Sequence, residues 1–153
     1  MEGIETINEI SPKERHRERE INNKKTPISY TGIVLDKQSK ERIEKELGDL
    51  IPDDWDIFAH HMTINLGEVK SEHIKYLGFP INLYGTHIGI TDMAMAISVE
   101  GFESDNQNPH ITLAVNTKEG GKPKMSNEIK DWKPLRRKLR LRGYLEEVPF
   151  FKK

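Results

Sequence analysis

The sequence of 153 residues contains no cysteine. Disulfide bonds, thiolate nucleophiles and zinc sites built on thiolates are therefore excluded. The chain also lacks an apolar stretch of the signal-peptide type near its N-terminus and any segment of transmembrane length. From these absences we expect a protein of the reducing cytoplasm that has no membrane partner.

Several familiar catalytic signatures are missing as well. The Gly-Gly-Lys run at residues 120–122 lacks the spacing of the GxxxxGK[ST] phosphate-binding loop, and the chain has no HExxH motif and no Ser-His-Asp order. The net charge is only −1, so the chain as a whole exerts no field that attracts nucleic acid. Chemistry that depends on these signatures is not expected here.

Charge is nevertheless unevenly distributed. Residues 36–56 carry eight acidic and four basic side chains, whereas residues 130–142 carry seven basic side chains and one acidic side chain. The basic segment predicts either a site for a phosphate backbone or nucleotide, or a solvated face without a partner. The sequence leaves both interpretations open.

The distribution of apolar residues predicts one domain at residues 28–153, preceded by a charged arm at residues 1–27. Within the arm, Ser11 followed by Pro12 and Glu14 predicts the capping box of a short helix. The arm has little apolar surface with which to dock. We therefore expect it to be loosely held.

Within the domain, β-prone runs outnumber helical ones. Asp36 is a candidate N-cap for a helix at residues 37–47 that ends at Gly48, and Ser126 is a candidate N-cap for a short helix at residues 127–132. Predicted strands occupy residues 29–35, 58–66, 80–90, 93–99, 110–115 and 139–148. The hairpin-like connections favour an α+β domain with mostly antiparallel sheet.

The pattern His, apolar residue, Thr, apolar residue occurs twice, at residues 61–64 and 110–113. Each copy lies in a β-prone run, where residues two apart point to the same face. Each strand would thus present one imidazole and one hydroxyl together, His61 with Thr63 and His110 with Thr112. Random placement predicts roughly 0.3 His-x-Thr triplets for this composition. Two copies therefore indicate a shared role, with two unrelated strand histidines as the simpler alternative.

Two imidazoles and two hydroxyls that converge on a cleft are sufficient to cleave a phosphodiester bond without a metal. Since the unperturbed pKa of histidine is about 6.5, one ring can be neutral and remove a proton while the other is protonated and donates one. Thr63 and Thr112 can hold the non-bridging phosphate oxygens. The sequence does not decide whether His61 or His110 is the base.

The pair of motifs resembles the signature of the two-histidine (2H) phosphoesterases. This superfamily includes LigT-like RNA cyclic phosphodiesterases, phosphodiesterase domains of some tRNA ligases and phage enzymes that destroy cyclic-oligonucleotide immune signals. The resemblance spans residues 28–149 and implies a bilobal α+β fold, with mostly antiparallel sheets lining a central cleft and few peripheral helices. It also implies that neither a metal nor another cofactor is needed. The motifs are 49 residues apart, closer than is usual in LigT-like members, which implies shortened helices between them.

Four further residues are candidates for substrate binding. By the resemblance, Tyr30 lies on a strand that borders the cleft, where it can stack on a base. Lys122 and Lys124 follow the second motif in a glycine-rich loop and can either close over a phosphate or remain exposed to solvent. Ser126 can donate to a phosphate or cap a helix.

The other histidines are weaker candidates for a functional role. His60 precedes the first motif, and strand alternation predicts that it points away from His61. A zinc site made of His60, His61 and His110 is disfavoured for that reason, and because no carboxylate lies at ligand spacing.

Together these observations predict a metal-independent phosphodiesterase whose substrate is a nucleotide or RNA. The scissile group would be a 2′,3′-cyclic phosphate or a linkage of a cyclic oligonucleotide. A non-catalytic nucleotide- or RNA-binding module that uses the same cleft is the alternative. A structural or adaptor role for the basic C-terminal region is a third hypothesis.

Overall fold

The computed structural model describes residues 11–22 and 27–150. Two α-helices lie in these residues, α1 at Pro12–Ile21 and α2 at Lys37–Leu47. The strands are β1 (Ile28–Leu35), β2 (Asp56–Ile57), β3 (His61–Leu66), β4 (Pro80–Ile90), β5 (Ala94–Glu100), β6 (His110–Val115) and β7 (Trp132–Pro149). Short 3₁₀ turns occupy Gly48–Leu50, Ser71–Tyr76, Thr117–Glu119 and Pro123–Glu128.

Six of the strands close into an antiparallel barrel. Their order is β6-β3-β1-β7-β4-β5, and β5 pairs back onto β6. The short β2 pairs with the end of β6 on the edge away from β5. Closure leaves none of these six strands as an open sheet edge. The mixed α and β composition and the antiparallel sheet predicted from the sequence are confirmed.

The apolar core fills the barrel because alternate residues of each strand point inward. Ile33, Met62, Ile97, Ile111 and Leu145 are all fully buried and belong to one cluster. In β3 and β6 the inward positions are the apolar residues of the two motifs. The histidine and threonine of each motif therefore face outward.

Helix α2 forms as the sequence predicts. The Asp36 carboxylate accepts a hydrogen bond from the Ser39 amide at 2.8 Å, and Ile43 and Leu47 pack into the common core. Gly48 follows the helix but is not left-handed, with a φ of −58°, because the chain continues into a 3₁₀ turn. Among the described residues, no helix is long and apolar enough to cross a bilayer.

Helix α1 is fixed on β7 by buried charge. The expected capping box forms between Ser11 and Glu14. The Glu147 carboxylate of β7 lies 2.7 Å from the Arg19 guanidinium and 3.0 Å from Nδ1 of His16, and both partners of the closer pair are only 5% exposed. The arm was expected to be loosely held or to form a short helix. Its described residues form that helix, and charged rather than apolar side chains dock it. Residues 1–10 and 23–26 of the arm lie outside the described residues.

Two other expectations at the C-terminal side are wrong. The short helix predicted at residues 127–132 does not form, because Pro123 begins a 3₁₀ turn that ends at Glu128. Trp132 is already the first residue of β7, which runs seven residues further towards the N-terminus than predicted from residue 139. The ladder with β4 extends to Trp132, paired with Gly89, and this long-range pairing overrides local helix signals.

Candidate active site

The two motifs lie on neighbouring strands. β3 and β6 pair in antiparallel fashion with Met62 opposite Ile111. In that register His61 falls beside Thr112 and Thr63 beside His110, all on the outward face. The pairing brings the four predicted catalytic residues together, although they are far apart in sequence.

These four residues line a cleft of about 830 Å³. Tyr30 and Lys124, two of the predicted binding residues, line it as well. The walls are otherwise largely apolar or uncharged and include Ile57, Phe58, Leu66, Asn106 and Asn127. A volume of this order suits a ligand the size of a small nucleotide.

His61 is held on three sides. Its Nε2 lies 3.1 Å from the Thr63 hydroxyl, and its Nδ1 lies 3.2 Å from the Tyr30 hydroxyl. The two aromatic rings stack with centroids 4.4 Å apart and planes at 22°. Burial lowers the pKa of His61 to about 4, assisted by repulsion from His60 and His110. The ring is therefore neutral near pH 7.

Tyr30 contacts a catalytic candidate directly, so one face of its ring is already covered by His61 rather than free for a base. Burial, together with the negative charge of Glu146, raises the pKa of Tyr30 to about 12, and the hydroxyl keeps its proton at neutral pH. Gly32 makes room for this ring. A Cβ there would lie 3.0 Å from the Met62 carbonyl oxygen and 3.1 Å from Cε2 of Tyr30.

His110 has a defined protonation at one nitrogen. Its Nδ1 lies 2.8 Å from the backbone carbonyl oxygen of Asn108, and a carbonyl only accepts hydrogen bonds. Nδ1 therefore carries the hydrogen, which leaves Nε2 for other chemistry. The Ser98 hydroxyl donates to the Asn108 side chain at 3.1 Å and thereby ties this loop to β5.

The remaining candidates divide into two groups. Lys122 and Lys124 are both exposed, and of the two Lys124 lines the cleft. Ser126 is only 1% exposed and lies behind Thr112, with the two hydroxyl oxygens 2.9 Å apart. Ser126 can therefore orient the Thr112 hydroxyl. Thr112, which lines the cleft, is the residue that can contact a ligand.

The prediction for His60 is wrong. This residue lines the same cleft as His61, and the Nδ1 atoms of the two rings are 3.0 Å apart. Alternation does not apply because β3 begins only at His61, and Ala59 has a left-handed φ of 43°. Burial and the nearby Lys40 ammonium lower the pKa of His60.

The three cleft histidines do not form a metal-binding cluster. In the part of the chain that the structure describes, the compact group of potential ligands is Glu72, His73 and Glu103, and none of these lines the cleft. The polar groups of the cleft are imidazoles, hydroxyls, amides, the Lys124 ammonium and the Asp105 carboxylate, which pairs with Lys70. Imidazoles and hydroxyls in this arrangement suit proton transfer and anion binding.

Sequence reasoning missed three residues of the site: Gly32, His60 and Asn108 as the partner of a catalytic ring. The His-His doublet at residues 60–61 was the available signal for one of them. Comparison of the chain with family models, with curated proteins and with solved structures found no match. The function of this chain is therefore inferred from the geometry of the cleft.

Proposed function

We propose that this chain is a metal-independent phosphodiesterase of the two-histidine type that acts on a nucleotide. The observation that carries the proposal is the antiparallel pairing of Met62 with Ile111, which directs both His-x-Thr motifs into one cleft. Simple binding of a nucleotide does not require two proton-transfer groups on opposite sides of the ligand.

The assignment of the base follows from burial. His61 is neutral near pH 7, so its ring can take the proton of the attacking hydroxyl or water. His110, with a hydrogen on both ring nitrogens at the start of this step, donates the Nε2 hydrogen to the leaving oxygen and keeps the Nδ1 hydrogen that bonds Asn108. The hydroxyls of Thr63 and Thr112 donate to the non-bridging oxygens, where charge grows as the bond breaks.

The walls of the cleft favour a small substrate. Among the described residues that line it, Lys124 is the one lysine, and no arginine lines it. A long RNA backbone is usually held by several cations. A 2′,3′-cyclic nucleotide or a small cyclic oligonucleotide fits better, with one phosphate between the histidines and a base against Ile57, Phe58 or Leu66.

The proposal extends to the fold. An antiparallel pair has a local twofold axis perpendicular to the sheet, and here such an axis passes between Met62 and Ile111. We infer that this axis takes the place of the relation between the two lobes of a 2H phosphoesterase, because here both motif strands belong to one barrel. The separation of 49 residues between the motifs would then represent a compact version of that arrangement.

Mass spectrometry of reaction products tests the function. Wild-type protein is incubated with 2′,3′-cyclic nucleotides, cyclic dinucleotides and trinucleotides and short RNA, each with and without EDTA. We expect hydrolysis that persists in EDTA, and a fall in kcat of about 10²–10⁴ in H61N and in H110N. H87N is the matched control, because His87 bonds Thr86 on β4 and does not line the cleft.

Equal turnover in wild type and both cleft variants would refute the catalytic assignment. Loss of activity in EDTA would refute metal independence. Tight binding of a nucleotide without any product between pH 5 and 9 would instead identify a non-catalytic binding module that uses the same residues.

A further inference from the structure

The His60–His61 contact imposes a constraint on hydrogen positions. The two Nδ1 atoms are 3.0 Å apart, and the rings meet edge to face at 80° with centroids 5.2 Å apart. Two nitrogens at this distance form a hydrogen bond only when one carries a hydrogen and the other is bare. The contact therefore links the tautomers of the two rings.

The backbone around this contact is firmly held. The amides of Phe58 and Ala59 donate to β6 carbonyl oxygens at 2.7 and 2.9 Å, and the carbonyl oxygen of His60 accepts from Leu35 at 2.9 Å. Between these anchors, Ala59 is buried and adopts the left-handed conformation that turns His60 into the cleft. An uncommon conformation persists only where the surrounding contacts maintain it. The position of His60 is thus a built feature of the fold.

A second group competes for the same nitrogen of His61. The Tyr30 hydroxyl, 3.2 Å away, can donate to a bare Nδ1. That arrangement places the hydrogen of His61 on Nε2, which faces Thr63 and the cleft. In this tautomer the ring has no lone pair with which to accept a proton from a ligand in the cleft. The tautomer of His61 thus depends on whether its Nδ1 accepts from Tyr30 or donates to His60.

We propose that His60 is a positioning residue whose bare Nδ1 accepts the Nδ1 hydrogen of His61 and so leaves Nε2 of His61 unprotonated towards the cleft. The Tyr30 hydroxyl oxygen accepts from the same hydrogen. When Nε2 takes the proton of an attacking hydroxyl, the Nδ1 hydrogen stays on His61, and its bond to His60 stabilises the imidazolium. This role in turnover rests on the proposed phosphodiesterase function, whereas the tautomer does not.

Nitrogen-detected NMR of the free protein tests the tautomer at pH 7.5. In wild type and in H60N we expect the hydrogen of His61 on Nδ1, because the Asn side-chain oxygen replaces the lost acceptor at that position. In H60L we expect the ratio of tautomers to shift roughly fivefold towards Nε2, the effect of one lost hydrogen bond. H87L, remote from the cleft, should leave the His61 signals unchanged.

A hydrogen on Nε2 of His61 in wild type overturns the proposal, and so does an unchanged ratio in H60L. The first result is measured on wild type and does not depend on the folding of any variant. In turnover, we expect H60L to lower kcat about fivefold with unchanged KM, and H60N to restore most of it. A shifted tautomer with normal kcat would overturn the catalytic part. Absence of any turnover in wild type would instead reject the phosphodiesterase, with the NMR result unaffected.

Discussion

The buried state of His61 makes a quantitative prediction about stability in acid. In the unfolded chain this imidazole has a pKa near 6.5, and in the folded protein the pKa is about 4. Between these two values the unfolded chain binds a proton at His61 and the folded chain does not. The free energy of unfolding therefore falls as the pH falls from 6.5 to 4, and the contribution is fully present above pH 6.5.

The magnitude follows from the difference in pKa. Each unit corresponds to about 1.4 kcal/mol, so protonation of His61 should cost the folded protein about 3 kcal/mol by pH 4. The variant H61N has no titratable ring but keeps a polar side chain of similar reach. It should therefore lose less stability in acid than wild type. The carboxylates Glu146 and Glu147 are present in both proteins, so their contributions largely cancel in the difference.

Urea denaturation followed by circular dichroism measures this difference at pH 7, 6, 5 and 4. We expect the stability of wild type relative to H61N to decrease by about 3 kcal/mol across that range. H87N serves as the control and should track wild type more closely. A constant difference between wild type and H61N, or an NMR titration of His61 with a midpoint near 6.5, would refute the reasoning and remove the basis for its assignment as the base.

Three further variants test other contacts. G32A introduces a Cβ against the Met62 carbonyl and the tyrosine ring, and should destabilise the protein by about 1–3 kcal/mol in urea denaturation. R19M leaves the buried carboxylate of Glu147 without its closest partner and should cost about 2 kcal/mol in the same assay. K124A should raise KM for a nucleotide substrate about tenfold, with kcat little changed, because Lys124 lines the cleft.

Matched variants define the outcomes that would contradict these three expectations. G48A places a methyl where nothing lies within 4 Å, so an equal loss of stability in G32A and G48A would refute the steric argument. K138A removes an exposed ion pair with Glu100. If R19M were as stable as K138A, the buried ion pair between Arg19 and Glu147 would contribute no more to stability than the exposed pair. Equal KM values for K124A and K122A would remove the distinction between a lysine that lines the cleft and one that does not.

Local features of the sequence predicted most of the elements. Strand β6 has the bounds expected from its apolar alternation, and α2 follows the Asp36 cap and the spacing of Ile43 and Leu47. These signals are local, because a cap and a residue period act over a few neighbouring positions. Their success extends to the direction of the motif side chains, since the apolar partners of His61 and His110 are buried.

Features that depend on contacts between distant residues could not be predicted from the sequence. The position of α1 depends on the ion pair between Arg19 and Glu147, which lies more than a hundred residues further along the chain. The pattern of apolar residues does not reveal such a charged contact. The direction of His60 depends on hydrogen bonds to β1 and β6 that hold Ala59 in an unusual conformation. Ser126 caps no helix and instead supports Thr112, because the chain around it belongs to a turn packed beside β6.

The sequence by itself determined which residues of each motif face away from the core, because strand alternation is a property of a few adjacent residues. Only the tertiary structure decided that the two motifs share one cleft, since that requires β3 to pair with β6 within a closed barrel. It also decided that His61 is neutral and that His60 adjoins it. Burial and proximity are set by long-range contacts, and these exist only when the whole chain has folded.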